Sequence, residues 1–291
     1  MTIDEVRKYW DRRPCNLRHS SIRLEDDPLG YSQRVTERKY KVEPHIPAFA
    51  GFECYKGLRV LELGCGIGTD TLSFARAGAL VTAIDISRES LRIAYRRAMA
   101  EGFDPLFLLG TKFQTVPSFQ RVTFICGDIE ELQIPLAWDR YDLVYSFGVL
   151  HHTPHPGRAL QFAHLYLKPS GRLKVMLYHR NSTKVARILA HHPLSLLKHV
   201  PVDEIVRLES EAQQGSPISR TYTRDEGIRL LQRYGFAPIF CGVDHIFPYQ
   251  IEAYTQHRYV RAFPWNLIRG QLFKNLEHRY GWHLLLEAKR I

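Results

Sequence analysis

The 291-residue chain contains no run of about 18 apolar residues, so its sequence offers no membrane-spanning helix. Its first residues, Met1-Thr2-Ile3-Asp4-Glu5-Val6-Arg7-Lys8, lack the apolar core of a secretory signal, and the expected location is the cytoplasm. Cysteine is scarce. Cys15, Cys54, Cys65, Cys126 and Cys241 are odd in number, widely spread and without a Cys-x-x-Cys pair, which argues against a disulfide framework or a zinc knuckle and fits reduced thiols. Internal repeats, low-complexity tracts, an RGG tract and any recognisable RNA-binding module are absent as well. Acidic residues are the minority charge, 30 against 40 basic, giving a formal net charge of +10. An acidic small molecule, an anionic membrane surface and RNA all stay open as partners on that ground. The densest basic group, Arg88, Arg92 and Arg96, repeats every four residues and reads as a solvated helix face.

What the chain does have is one informative stretch, Val60-Leu61-Glu62-Leu63-Gly64-Cys65-Gly66-Ile67-Gly68-Thr69-Asp70. An apolar run ends in three alternating glycines and passes into helix-compatible residues closed by Gly78, which predicts strand, tight turn and helix. Glycines there let a ligand approach the main chain, and the free N–H groups of the following helix face the same point. A second apolar run, Leu80-Val81-Thr82-Ala83-Ile84-Asp85, ends in a carboxylate about 20 residues on, the offset at which an α/β nucleotide site accepts ribose hydroxyls. The dinucleotide fingerprint G-x-G-x-x-G is the competitor, but here the third glycine comes one residue early, at Gly68, and Glu62 sits inside the strand. This stretch resembles motif I of the class I S-adenosylmethionine-dependent methyltransferases, whose E/D-x-G-x-G-x-G turn holds the methionine end of the cofactor.

The chain downstream extends the likeness. Val122-Thr123-Phe124-Ile125-Cys126 runs into Gly127-Asp128-Ile129, where an acidic residue resembles the one that accepts from the adenine amino group in this superfamily. Tyr141-Asp142-Leu143-Val144-Tyr145-Ser146, then Phe147-Gly148-Val149-Leu150-His151-His152-Thr153-Pro154, resembles motif IV of the branch that includes menaquinone- and ubiquinone-type methyltransferases. A helix from about Pro156 to Leu167, a turn at Lys168-Pro169-Ser170-Gly171 and a strand Arg172–Tyr178 match the same branch. The resemblance implies an α/β fold: a Rossmann-like, doubly wound, mostly parallel seven-stranded sheet with one antiparallel strand, Trp282–Ala288. It also implies a site made of Glu62, Gly64, Cys65, Gly66, Gly68, Asp85, Ile86, Asp128, Ile129, Ser146 and Phe147.

Two segments fall outside that scaffold. Residues 1–50 read as a leader with a short helix, Ile3–Arg12, followed by a polar, basic, Pro/Gly-punctuated stretch; its aromatics, among them Tyr9, Trp10, Tyr31 and Tyr40, either close the acceptor pocket or simply pack onto the core. Residues 51–291 form the main domain. Within it, residues 179–222 read as a helical cap inserted after the fifth strand, with helices from Thr183 to about Val200, broken at Pro193, and from Val202 to about Gln213. Residues 103–120 read as a packed loop, and Pro264–Ile268 as a segment over the pocket.

Methyl transfer from a sulfonium needs positioning and exclusion of water more than it needs a fixed triad. A base is required only where the acceptor must lose a proton. His151 and His152, at the carboxyl end of the fourth strand, are the candidate catalytic residues, for proton transfer or for orienting the loop. Tyr178 and His179 are expected to face the same pocket. No metal is expected at His151, His152 and His155, because Pro154 and Pro156 keep His151 and His155 from sharing a helical face and no nearby acidic partner completes a set. The expected function is methyl transfer from S-adenosylmethionine to a small organic acceptor. The alternatives are an RNA methyltransferase, a silent S-adenosylmethionine-binding protein and a nicotinamide dehydrogenase. The Asn-Pro-Pro-aromatic signature of base amino-methylases is absent, with Ser146-Phe147-Gly148-Val149 in its place.

Overall fold

The computed structural model describes residues 2–110, 121–132, 141–211 and 215–291. At its start, Thr2 and Glu5 form a capping box that opens α1 (Ile3–Arg12). The polar, irregular stretch expected as far as Gly51 is instead largely helical, with α2 (Pro28–Val42) and α3 (His45–Ala50). Asp27 caps Gly30 and Pro28 occupies the first turn of α2. Its inner face mixes Tyr31 and Val35 with buried Ser32, Thr36 and Arg38, and that mixture hides its helical period.

Then the alternation of strand and helix begins: β1 (Arg59–Leu63), α4 (Thr69–Arg76), β2 (Leu80–Asp85), α5 (Arg88–Ala100), β3 (Leu106–Leu109), β4 (Val122–Cys126), β5 (Tyr141–Phe147), α6 (Pro156–Tyr166) and β6 (Leu167–His179). The insertion carries α7 (Thr183–His191), α8 (Pro193–Leu197) and α9 (Val202–Arg207). After it come β7 (Thr221–Tyr222), α10 (Arg224–Arg233), β8 (Phe236–Asp244), α11 (Ile251–Thr255), α12 (Gly270–Tyr280) and β9 (His283–Arg290). Strand order is β3-β4-β2-β1-β5-β6-β9-β8, with β7 paired to β6.

The sheet is Rossmann-like and mostly parallel, with β9 alone antiparallel to its neighbours, as expected. It has nine strands among the described residues, not seven. The two additions are the short β7 and the edge strand β3, which falls in the stretch read as a loop; the rest of that loop, 111–120, lies outside the described residues. The turn expected at Lys168–Gly171 is absorbed into β6 as an irregularity, because Tyr141 pairs with Leu167 and Leu143 already pairs with Arg172. Helix α9 stops at Arg207, short of Gln213, which is itself outside the described residues.

Parallel strands covered on both faces read as continuous apolar runs. Val60, Val81, Ala83, Phe124 and Tyr145 point to one core with Leu72, Phe74, Leu91 and Ala94 of α4 and α5. Leu61, Leu63, Ile84, Ile125, Val144 and Val175 point to the other, with Leu160 of α6 and Leu231 of α10. Residues next to each other in a strand thus belong to opposite cores, which fixes the register and the place where each strand ends.

Candidate functional site

The carboxyl ends of β1, β2, β4 and β5 open into one cavity of about 170 Å³. Gly64, Gly66 and Gly68 all have left-handed φ, at 73°, 54° and 76°. A Cβ on Gly64 would lie 2.2 Å from Val149 Cγ2, and one on Gly68 would lie 2.9 Å from Ala94 Cβ. At Gly66 a Cβ meets nothing within 4 Å. The turn is therefore packed at its two ends and bare in its middle, which is the form a backbone takes where a ligand is to lie against it.

Asp85 closes this turn. Its Oδ2 accepts from the Gly66 N–H at 2.7 Å and its Oδ1 from the Ser87 N–H at 2.8 Å. Burial pushes its carboxyl up to about 6, opposed by those two hydrogen bonds. Asp128 also lines the cavity; it accepts from the Glu130 N–H at 2.9 Å, and burial raises its pKa.

Of the expected binding residues, Gly64, Cys65, Gly66, Asp85, Ile86, Asp128, Ile129 and Phe147 line the cavity. Glu62, Gly68 and Ser146 stand behind it. Glu62 accepts from Thr71 Oγ1 at 2.5 Å, and burial, then the nearby Asp70, pushes its carboxyl up to about 8. Gly68 starts α4, and Ser146 Oγ donates to the Leu63 carbonyl at 3.4 Å. Burial raises the Cys65 thiol well above its ordinary value, which suits a packing residue and not a nucleophile.

His151 and His152 part company. His151 is fully buried, its ring 3.7 Å from that of Tyr178, and it does not line the cavity; burial holds its pKa well down. A role for it in proton transfer to an acceptor is not compatible with that position. His152 does line the cavity, yet both its nitrogens meet protein groups: Nδ1 lies 2.5 Å from the Ile218 carbonyl, and Nε2 lies 3.3 Å from the Tyr178 hydroxyl and 3.4 Å from Glu211 Oε1. Tyr178 and His179 are not among the lining residues. Tyr178 donates to Glu211, and His179 Nδ1 turns to the Gly281 carbonyl at 3.1 Å. Pro264–Ile268 does not cover the cavity either, and Leu267 is 73% exposed.

The leader reaches the cavity directly. Ile3, Val6 and Trp10 of α1 line it, and Ser87 Oγ donates to the Trp10 carbonyl at 3.3 Å and to Asp11 Oδ1 at 3.0 Å. The Tyr9 hydroxyl donates to the Gly215 carbonyl, so α1 bridges the rim near Asp85 and the cap insertion.

Three residues that matter here carry no signal in the sequence. Arg97, fully buried, donates to the Ile67 carbonyl at 2.7 Å, to Thr69 Oγ1 at 2.9 Å and to Ser32 Oγ at 2.9 Å, tying leader to glycine turn. Asp70 accepts from Lys39 at 2.9 Å, Tyr40 at 2.9 Å and Tyr145 at 3.0 Å. Glu211 is half-buried against His152, Lys184 and Tyr178: desolvation pushes its carboxyl up, but those partners prevail and hold it at about 2. Each joins segments far apart in sequence. A larger hollow of about 910 Å³ between Leu17–Glu25 and α5 touches neither the glycine turn nor the carboxylates.

The sequence profile of a family described as methyltransferase domain matches residues 35–239. The chain belongs to this methyltransferase family. Its match begins inside α2 and ends in β8, so it takes in part of the leader and the whole cap insertion. Among relatives, this methyltransferase-family chain is 33% identical over 147 residues to the mitochondrial ubiquinone biosynthesis O-methyltransferase of Schizosaccharomyces pombe, covering 50% of this chain and 46% of that one. It is 31% identical over 125 residues to the ubiquinone biosynthesis O-methyltransferase of Aeromonas salmonicida, covering 43% and 45%. The chain spans about half the length of the curated relatives it matches. In fold it is similar to magnesium protoporphyrin IX methyltransferase from Synechocystis with bound SAH, with a TM-score of 0.55 at 17% identity, covering 100% of both chains.

Proposed function

We propose that this chain transfers the methyl group of S-adenosylmethionine to a small organic acceptor. The observation that carries the reading is the pairing of a bare Gly66 with the Asp85 carboxylate on one lip of the cavity, under α1. Gly64–Gly66 would hold the amino-acid end of the donor, Asp85 its ribose hydroxyls and Asp128 its adenine amino group, with Ile86 and Ile129 against the base. When bound, the donor supplies a methyl group on an already activated sulfonium leaving group. The chain's own part is to orient and to exclude water: Trp10 and Val6 roof the cavity, and Phe147 walls it. His152, held by Ile218 and Glu211, is a positioning residue that fastens the cap insertion to the rim.

The relatives named as ubiquinone biosynthesis O-methyltransferases make a hydroxyl oxygen the first acceptor to try. RNA has no coherent observation in its favour beyond net charge. Incubation with methyl-labelled S-adenosylmethionine and separate pools of phenols, amines and total RNA tests the reading. Label in a small molecule supports it; label in RNA alone, or in no pool despite donor binding, contradicts it.

A further inference from the structure

Away from the donor cavity, the interior holds a second group of chemistry-bearing side chains. Glu43 follows α2, His245 follows β8 and His283 opens β9. Antiparallel pairing sets Asp244 opposite His283, so the next residue, His245, folds its ring onto that of His283, with centroids 4.6 Å apart and planes at 29°. Ligand atoms of Glu43, His245 and His283 all lie within 4.8 Å of one another, and His283 Nε2 is 3.6 Å from Glu43 Oε1. His245 and His283 are 7% and 4% exposed.

Two further features support a built site. His245 adopts φ 71°, a left-handed conformation that is uncommon for a non-glycine residue and that concentrates at functional positions. Asp244 Oδ1 accepts its N–H at 2.7 Å and the Trp282 N–H donates to its carbonyl at 2.7 Å, fixing it from both sides. The other nitrogen of His283, Nδ1, lies 2.9 Å from His45 Nε2, which orients the ring so that Nε2 faces the carboxylate. Support of a ligand imidazole through its second nitrogen is what metal-bound histidines ordinarily have. His45 is itself buried, and its Nδ1 is 3.9 Å from Asp244 Oδ1.

We propose that Glu43, His245 and His283 bind one divalent first-row transition-metal ion. Two imidazoles and one carboxylate suit Zn²⁺, Fe²⁺, Mn²⁺ or Co²⁺, whereas Mg²⁺ and Ca²⁺ favour oxygen alone. Bonds of about 2.1 Å around a tetrahedral ion place ligand atoms roughly 3.4 Å apart, so the three side chains close by about an ångström on binding. Three protein ligands leave at least one position for water or another ligand. The ring of Phe147, which lines the donor cavity, is 5.4 Å from that of His283, so the ion sits one aromatic ring away from the donor. The site stands whether or not the donor reading holds.

The test uses the full chain, stripped with chelator, desalted and titrated with CoCl₂, then with ZnCl₂ as competitor. The expected result is one equivalent of Co²⁺ with the visible absorption of a four- or five-coordinate centre, displaced by Zn²⁺, and a higher Tm with metal than without. Glu43→Gln and His283→Ala each weaken binding about tenfold or more. His192→Ala, which removes an imidazole paired to Glu209 on the cap, leaves it unchanged. Glu43→Gln keeps the shape of the side chain and decides the matter if His283→Ala does not fold. Absence of Co²⁺ binding by folded wild type, binding that survives Glu43→Gln, or binding lost with His192→Ala would each overturn the proposal.

Discussion

The Asp85 carboxylate accepts a 2.7 Å hydrogen bond from the Gly66 N–H and so joins the end of β2 to the turn after β1. Two strands that carry separate sequence markers thereby present one surface. Because burial holds Asp85 at about 6, and because acceptance of ribose hydroxyls needs the ionised form, donor affinity depends on pH. The bound state favours the carboxylate, so affinity is flat above pH 6 and falls as pH drops through it, toward about tenfold per pH unit. Titration calorimetry with S-adenosylmethionine at pH 7.5 and pH 5 checks this, with Asp85→Asn expected to flatten the profile.

Gly64 and Gly66 separate fold from binding. Gly64→Ala drives a methyl group to 2.2 Å from Val149 in a left-handed backbone, and overpacking of that kind costs about 1–3 kcal/mol before strain is added. A clear drop in Tm is expected. Gly66→Ala pays only the left-handed conformation, about 1–2 kcal/mol, and places its methyl group in open space on the cavity side. It is expected to stay folded by circular dichroism while losing donor affinity.

Arg97 is predicted to be the side chain whose removal most loosens the leader. Arg97→Met leaves the Ile67 carbonyl and the Thr69 hydroxyl without their donor, at about 1–3 kcal/mol for each buried unmet group, and removes one bond each from the Ser32 carbonyl and the Thr36 hydroxyl, which keep the bond to each other at 3.0 Å. Urea unfolding should show a loss of at least about 3 kcal/mol, and limited proteolysis should cut first within residues 13–27.

Glu211 supplies an acid-sensitive part of the fold. Its carboxyl is held at about 2 against an ordinary 4.5, despite the upward pull of burial, so its contribution is complete above pH 4.5 and is lost as pH falls toward 2. Glu211→Gln should therefore be less stable than wild type at pH 6, with the difference shrinking at pH 3. An equal difference at both pH values would show that the Glu211 charge does not hold the cap.

Much of this arrangement was legible in the chain. β1, β2, β4 and β5 bury both faces, so Val60, Leu61, Leu63, Val81, Ala83, Ile84, Val122, Phe124, Ile125, Leu143 and Val144 had to be apolar, and the intervening turn had to be glycine where Val149 and Ala94 press on it. Helix α2 was not legible, since Ser32, Thr36 and Arg38 on its buried face break the apolar period. Nor was the four-residue edge strand β3, too short to show alternation. The roles of Arg97, Glu211 and the Glu43–His245–His283 group come from contacts between distant segments, which no local spacing encodes. His151 and His152 are alike in sequence, and both rings contact Tyr178, yet only that of His152 lies on the cavity wall.

The most direct measurement is calorimetric titration of the wild type and of Asp85→Ala with S-adenosylmethionine and, separately, with NAD. One-site binding of S-adenosylmethionine is expected, weakened about a hundredfold or more in Asp85→Ala by the loss of two charge-assisted hydrogen bonds, with no NAD signal. A folded wild type that binds NAD and not S-adenosylmethionine, or an Asp85→Ala variant with unchanged affinity, would contradict that expectation.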